Sequence, residues 1–263
     1  MIWFVGAGPG DPELITVRGR RLLEEADVVI YAGSLVPKEV LTWASSGVEI
    51  YDSAGMHLDE IVSLMVDGHR SGRKVVRLHT GDPGLFGAIG EQMARLDEEG
   101  VPYEVVPGVS SFSAAAAAIA TELTLPGVSQ TVIITRTAGR TPVPQTEALA
   151  DLAAHRSTMA IFLSADHMAD IVSSLRAHYP EETPVAVVYK ATWPEQRIVR
   201  GTLRDIAALV AEAGIDRTAM ILVGEVLRNE GGPSKLYDRS FSHGYRAGEG
   251  EAKEEEAGKE EAL

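Results

Sequence analysis

The sequence predicts an α/β protein in which strands and helices alternate along the chain. Short apolar runs rich in Val and Ile recur, and most are followed by a segment with helical periodicity. Pro126-Gly127 marks a break, and 263 residues suffice for two modest domains or one large domain. We therefore expect domains at 1–126 and 127–246. Four predicted strands end in loops rich in Gly, Pro and Ser: 6–12, 32–37, 80–84 and 107–111.

Each element is predicted from its local pattern. Helices are assigned where apolar residues recur at helical spacing, as Ile61, Leu64 and Met65 do, or where Ala dominates. The predicted strands are 2–5, 27–31, 48–51, 75–79, 103–106, 130–135, 158–163, 184–191, 196–201 and 218–223, the eighth and ninth forming a hairpin. The predicted helices are 14–26, 38–44, 58–70, 86–99, 113–120, 146–155, 166–178 and 203–213.

The strongest sign of a ligand is the stretch 75–87, VVRLHTGDPGLFG. Its β-branched start predicts a buried strand, and Thr80-Gly81-Asp82-Pro83-Gly84 predicts a tight loop at the strand's carboxyl end. Ligands of open α/β sheets bind outside the carboxyl ends of strands. If the sheet is mostly parallel, the four loops gather at one edge and form a single cleft. An ordinary strand-to-helix turn is the alternative interpretation.

Composition and charge exclude several classes of function. The formal net charge is −14, and 249–263, with seven Glu and two Lys, contributes −5 of it, which leaves −9 for the other 248 residues. An acidic body disfavours nucleic acid, whose binding depends on Lys and Arg contacts to phosphate. No apolar run approaches the ~20 residues that span a bilayer, and no signal peptide is recognised. We therefore expect a cytoplasmic protein with a disordered acidic tail at 247–263.

The first glycine-rich loop, GAGPGDP at 6–12, does not suit a dinucleotide. Its spacing is G-x-G-x-G, and the third glycine of the dinucleotide motif would fall on Asp11. Pro9 has no N–H to offer a pyrophosphate, and Asp11 would repel one. Such a loop favours a ligand without phosphate, and a positively charged ligand would suit it.

Histidine, serine and arginine side chains are the candidates for metal binding, catalysis or ligand contact. The chain has no cysteine, and its seven histidines show no metal-ligand spacing, so no metal site is predicted. His79 is interpreted as a partly buried histidine satisfied by backbone, with a catalytic role as the alternative. Ser110 and Ser111 are either helix caps or hydroxyls that face a ligand. Arg136 and Arg140 are either solvated or a pair that binds carboxylates.

Four linked motifs carry a family resemblance that extends over about residues 1–230. GAGPGD (6–11), GDPGLFG (81–87), VPGVSS (106–111) and QRIVRGT (196–202) together resemble the tetrapyrrole methylases. Within that family, YAGSLVP (31–37) and RTAGRTPVP (136–144) are similar to the branch that methylates C-11 of precorrin-4 in cobalamin synthesis. The branch that makes sirohaem precursors has Asp in place of Ala32 and Met in place of Ser164. The first departure removes a proposed base and favours a different methylation position.

The resemblance implies a homodimer of two α/β domains with S-adenosylmethionine (SAM) in the cleft between them. SAM has no phosphate and carries a sulfonium cation, which suits the first glycine-rich loop. The resemblance places cofactor contacts on Pro9, Thr80, Gly81, Asp82, Leu85, Ser110, Ser111, Ser164 and Ala191. We assign the anionic tetrapyrrole substrate to Tyr31, Ser34, Arg136 and Arg140. No catalytic base is identified. The alternatives are another branch of the family and a SAM-binding protein without activity.

Overall fold

The computed structural model describes residues 1–139, 141–232 and 234–249, and two five-stranded sheets organise it. The first sheet contains β1 (Ile2–Gly6), β2 (Val28–Tyr31), β3 (Glu49–Asp52), β4 (Val75–His79) and β5 (Tyr103–Val106). Its strand order is β3-β2-β4-β1-β5, and all four pairings are parallel. Because every strand runs the same way, the loops that follow β1, β2, β4 and β5 lie at one edge, which confirms the predicted gathering.

Helices cover both faces of the first sheet. One face carries α1 (Val17–Glu24), and the other carries α2 (Leu58–Arg70) and α3 (Ile89–Glu98). The predicted bounds of α2 are confirmed at both ends. At its start the backbone N–H of His57 donates to the Glu60 carboxylate, which satisfies an otherwise unpaired donor. At its end His69 and Arg70 lie next to the negative pole of the helix dipole.

The second sheet is mostly antiparallel. It contains β6 (Val132–Arg136), β7 (Thr158–Phe162), β8 (Pro184–Tyr189), β9 (Arg197–Thr202) and β10 (Ala219–Val223), in the order β6-β7-β10-β8-β9. Only β6 and β7 pair in parallel, and β8 and β9 form the predicted hairpin. One face packs against α5 (Leu149–Ala153), α6 (Met168–Leu175) and α7 (Ile206–Glu212).

The alanine-rich helix α4 (Ser111–Ala118) covers the other face of the second sheet. Ala114, Ala115 and Ala116 share a core with Ala160 and Leu222. Their small side chains let the helix lie close to the strands. A helix from the first half of the chain therefore completes the second core. The division at 126/127 stays a prediction.

Most of the predicted helices are shorter than expected, and the first two also change type or divide. The segment 38–44 forms a 3₁₀ helix, Lys38–Trp43, and the segment 14–26 is split. Asp11 accepts the Glu13 N–H and starts a 3₁₀ turn, Pro12–Leu14, and Thr16 then caps α1. The side chains of Asp11 and Thr16 thus begin two separate helical segments, where periodicity alone predicts one helix. No helix in the described parts of the chain is long and apolar enough to cross a membrane. The predicted tail lies outside the described residues from 250 onward.

Candidate functional site

Three loops at the edge of the first sheet are joined backbone to backbone. The N–H of Gly81 donates to the Gly8 carbonyl at 2.8 Å, and the N–H of Gly8 donates to the Gly81 carbonyl at 3.3 Å. A Cβ on Gly108 would lie 2.1 Å from the Gly81 oxygen, and one on Gly6 would lie 2.6 Å from the Cα of Gly108. No side chain fits at these positions. The loops after β1, β4 and β5 therefore form a single layer of closely packed backbone.

Asp82 braces two of these loops. Its Oδ1 accepts the Gly84 N–H at 2.8 Å, and its Oδ2 accepts the Gly108 N–H at 2.8 Å. Both bonds are charge-assisted, so they are stronger than bonds between neutral groups. A carboxylate has about four acceptor positions, and two are occupied here. Asp82 holds the loop geometry, and its role as a ligand-binding carboxylate stays a prediction.

Ser110 stands at the N-cap position of α4, but its hydroxyl does not cap the helix. The residue is buried, and its Cα lies 3.7 Å from the position that a Cβ on Gly81 would occupy. A hydroxyl at this position that makes no cap hydrogen bond is available to another partner. The cap interpretation is therefore wrong for the Ser110 hydroxyl, and its role as a hydroxyl that faces a ligand stays a prediction.

The first glycine loop is attached to the second sheet. The indole N–H of Trp193 donates to the Pro9 carbonyl at 2.9 Å, and the backbone N–H of Asp11 donates to Oγ1 of Thr192 at 2.9 Å. A Cβ on Gly10 would lie 2.1 Å from Cδ1 of Trp193, so the indole ring rests on the glycine. Thr192 has φ of +70°, a strained conformation for a residue other than glycine. These contacts join the first glycine loop to the segment between β8 and β9.

Ser164 and Ala191 lie on the second-sheet side. Ser164 is 1% exposed, and its Oγ donates to the Phe162 carbonyl at 2.6 Å. The same oxygen accepts the N–H and the hydroxyl of Thr137, at 3.0 and 2.8 Å. The donor and both lone pairs of the hydroxyl are thus occupied within the protein. A ligand contact at Ser164 therefore has to use backbone atoms. Ala191 follows β8 and is buried.

The loop 32–37 is held by Asp52, which sequence reasoning missed. The hydroxyl of Tyr31 donates to Oδ2 of Asp52 at 3.5 Å, and the N–H of Gly33 donates to its Oδ1 at 3.1 Å. Burial raises the pKa of Tyr31, and the Asp52 carboxylate raises it further. Ser34 is exposed at the tip of the loop. Asp52 is the last residue of β3 and lies at the same sheet edge as the other loops. A carboxylate at the end of a predicted strand was the sequence feature that could have identified it.

The Arg136 side chain donates its hydrogen bonds to backbone carbonyls of its own loop. Its guanidinium donates to the carbonyls of Thr137, Thr141 and Pro142 at 3.3, 3.0 and 2.8 Å. Three of its five N–H donors are therefore used within the protein, on the carbonyls of these three residues. Arg140 lies outside the described residues. Binding of carboxylates by the two arginines together stays a prediction.

His79, the last residue of β4, differs from its sequence interpretation. It is 4% exposed, and its Nε2 has no hydrogen-bond partner. Burial and the neighbouring Arg77 lower the pKa of His79 to about 3. The expectation of a partly buried histidine satisfied by backbone is therefore wrong for Nε2.

Two five-stranded sheets, joined where the first glycine loop contacts the segment that follows β8, define the class of this protein: a two-sheet α/β protein whose first sheet gathers its strand-end loops at one edge. The chain belongs to the family of tetrapyrrole (corrin/porphyrin) methylases, because the sequence model of that family matches residues 1–207.

Relatives and solved structures agree with this membership. The cobalt-precorrin-4 C(11)-methyltransferase of Methanocaldococcus jannaschii is 57% identical over 244 residues, which are 92% of this chain and 94% of the relative. The precorrin-4 C(11)-methyltransferase of Pseudomonas aeruginosa is 52% identical over 94% of this chain and 99% of its own. The X-ray structure of a cobalt precorrin-4 methyltransferase superposes with a TM-score of 0.84 at 52% identity, covering 86% of this chain and 95% of that one.

A further solved structure was determined with a ligand. It is the uroporphyrin-III C-methyl transferase of Thermus thermophilus complexed with S-adenyl homocysteine. It has a TM-score of 0.71 and 31% identity, and the match covers 87% of this chain and 93% of that one.

Proposed function

We propose that this protein is a SAM-dependent methyltransferase that methylates C-11 of precorrin-4 or cobalt-precorrin-4 in cobalamin biosynthesis. The observation that carries the proposal is near full-length similarity above 50% to relatives named for this reaction, with coverage of 94% or more of each of them. The cleft supports it, because its loops suit a ligand that lacks phosphate. A cytoplasmic location, a homodimer and the absence of a nucleic-acid partner belong to the same proposal.

In this proposal SAM lies along the backbone layer of the first sheet and under the second. Its contacts fall on Pro9, Thr80, Gly81, Asp82, Leu85, Ser110, Ser111, Ser164 and Ala191. The S-adenyl homocysteine complex of the Thermus thermophilus relative supports a ligand of this chemistry. The carbonyl layer, the Asp82 carboxylate and the Ser110 hydroxyl offer acceptors, which suit a sulfonium and an amino group.

The reaction transfers a methyl group in line from sulfur to a ring carbon. The S–CH₃ bond breaks as the C–CH₃ bond forms, the electron pair comes from the ring, and neutral S-adenosylhomocysteine leaves. A ring proton is released to balance the new bond. Because the leaving group is neutral, little charge has to be stabilised and positioning supplies most of the acceleration. The fixed loop layer is the part of this chain that provides it.

The hydrogen bond from the Trp193 indole to the Pro9 carbonyl gives a first prediction. We expect Trp193→Phe, which keeps a ring but removes the indole N–H, to weaken SAM binding about 3- to 10-fold. One lost hydrogen bond is worth about 0.5–1.5 kcal/mol, and the Pro9 carbonyl is left without its donor. Isothermal titration with SAM measures the change. Trp43→Phe is the matched control, because its indole N–H donates to Pro12 within the first half of the chain. Equal SAM affinity in wild type and Trp193→Phe would contradict a role of this hydrogen bond in SAM binding.

The substrate side yields a second prediction, on the loop that contains Arg136 and Arg140. We expect Arg140→Ala to weaken cobalt-precorrin-4 binding about tenfold or more, because a bond to a charged group is worth about 1.5–3 kcal/mol. SAM affinity should stay unchanged. Arg217→Ala removes an exposed arginine paired with Asp216 and serves as the control. Equal loss of SAM and tetrapyrrole affinity would count against the assignment of Arg140.

One assay tests the function itself. The protein is incubated with methyl-labelled SAM and either precorrin-4 or cobalt-precorrin-4, and the labelled carbon is located by NMR. We expect label at C-11. Label at another ring carbon would assign the chain to a different branch of the family. SAM binding without transfer to either compound would favour a protein that binds SAM without methylating.

A further inference from the structure

A cavity of about 310 Å³ opens beside the loop 80–84, on the face of the first sheet covered by α2 and α3. It adjoins two predicted cofactor contacts, Thr80 and Leu85, but extends away from them towards the helices. Its polar lining is made by Arg77, His79, Thr80, Glu91 and Gln92. No part of the function described above uses Arg77, His79 or Gln92.

Arg77 is a buried cation whose partners are all neutral. It is 5% exposed, and it donates to Oε1 of Gln92 at 3.1 Å, Oγ of Ser53 at 3.0 Å and the Ile30 carbonyl at 3.3 Å. These bonds use Nε and Nη1. Among the described residues, Nη2 makes no hydrogen bond and no carboxylate forms an ion pair with the Arg77 guanidinium. Burial lowers the pKa of Arg77 to about 10, so it stays charged at neutral pH. A buried charge without a counter-charge is costly.

His79 lies on the same face of β4 as Arg77, two residues further along the strand. Its Nε2 has no partner, and its ring packs against Phe4 with centroids 5.9 Å apart. The cavity thus contains a charged guanidinium and an imidazole with unused hydrogen-bonding capacity. Glu91 is the carboxylate in the lining, but its side chain is exposed, where solvent screens its charge. The buried wall therefore favours an anion.

We propose that this cavity is a carboxylate subsite, in which Arg77 and His79 receive one carboxylate arm of the tetrapyrrole and orient the ring against the methyl donor. The proposal rests on the proposed function, since that function supplies a ligand with carboxylate arms. A carboxylate provides the counter-charge that Arg77 lacks and can accept a hydrogen bond from the imidazole. Binding an anion also raises the pKa of His79, because the negative charge favours the protonated imidazole. Arg77 and His79 act as positioning residues.

Binding of a small carboxylate tests the subsite without any methyl transfer. The full-length ¹⁵N-labelled protein is titrated with sodium propionate, and the histidine side chains are followed by NMR, with His79→Gln assigning the His79 signals. We expect saturable shifts of the His79 signals and a rise of its pKa from about 3. His57, exposed at the start of α2, is the internal control and should not shift. Unchanged His79 signals, or equal shifts with sodium chloride at the same ionic strength, would overturn the subsite.

Binding of the substrate provides the second measurement. We expect His79→Phe, which keeps a ring and removes both nitrogens, to raise the dissociation constant of cobalt-precorrin-4 about tenfold. SAM affinity should stay within about twofold of wild type, and His79→Gln should recover part of the loss. Wild-type substrate affinity in a folded His79→Phe protein would contradict the proposal. Propionate binding with no methyl transfer to any tetrapyrrole would leave the anion site standing and reject the proposed function, so the two failures are distinguishable.

Discussion

Asp82→Ala is expected to weaken SAM binding at least about 100-fold. The substitution removes two charge-assisted hydrogen bonds, to the backbone N–H groups of Gly84 and Gly108. Each is worth about 1.5–3 kcal/mol, and a loss of about 3 kcal/mol in the bound geometry corresponds to about two factors of ten. Without the brace, the loop after β4 separates from the loop after β5. Titration calorimetry with SAM measures the effect, and thermal unfolding shows whether the fold survives.

Two variants sharpen this experiment. Asp82→Asn keeps the size and one acceptor, but it places an amide NH₂ against one of two backbone donors, so we expect an intermediate affinity. Asp59→Ala removes an exposed carboxylate that pairs with Arg95, and a pair of this kind contributes about 0–1 kcal/mol. It should leave SAM affinity unchanged. A dissociation constant for Asp82→Ala equal to that of wild type would reject the brace and the predicted cofactor role together.

The strands and the convergence of their loops could be predicted because the signals are local. In 75–79 two valines open the apolar run, and Gly81, Asp82 and Pro83 end it abruptly, so the bounds of β4 follow from sequence alone. Parallel pairing then places the loops that follow β1, β2, β4 and β5 at one edge of the first sheet. The same local logic failed at 14–26, where Asp11 and Thr16 cap two separate turns within one periodic segment.

Contacts across the two halves could not be predicted. Trp193 meets Pro9 over a separation of 184 positions, and Asp11 meets Thr192 over 181, with no local pattern to pair them. The direction of hydrogen bonds was equally hidden. Arg136 looked available to a substrate, yet it donates to three carbonyls of its own loop. These features depend on how the chain closes, because a polar side chain takes whichever partner burial brings to it.

Close packing of the loops after β1, β4 and β5 gives a second prediction with a large effect. Gly108→Ala is expected to abolish SAM binding and to lower the stability of the protein. The added Cβ would lie 2.1 Å from the Gly81 carbonyl oxygen and 2.8 Å from the Cα of Gly6, and both neighbours are backbone atoms that no rotamer change can move. Overpacking of this kind typically costs about 1–3 kcal/mol.

Gly90→Ala is the matched control for this substitution, because no atom lies within 4 Å of its Cβ and the residue is in α3, where Ala is favoured by about 0.5–1 kcal/mol. Thermal unfolding and SAM titration of both variants separate the two cases. A Gly108→Ala protein with wild-type stability and SAM affinity would show that the three loops can move apart, and the cleft would then have to be formed by the ligand rather than by the fold.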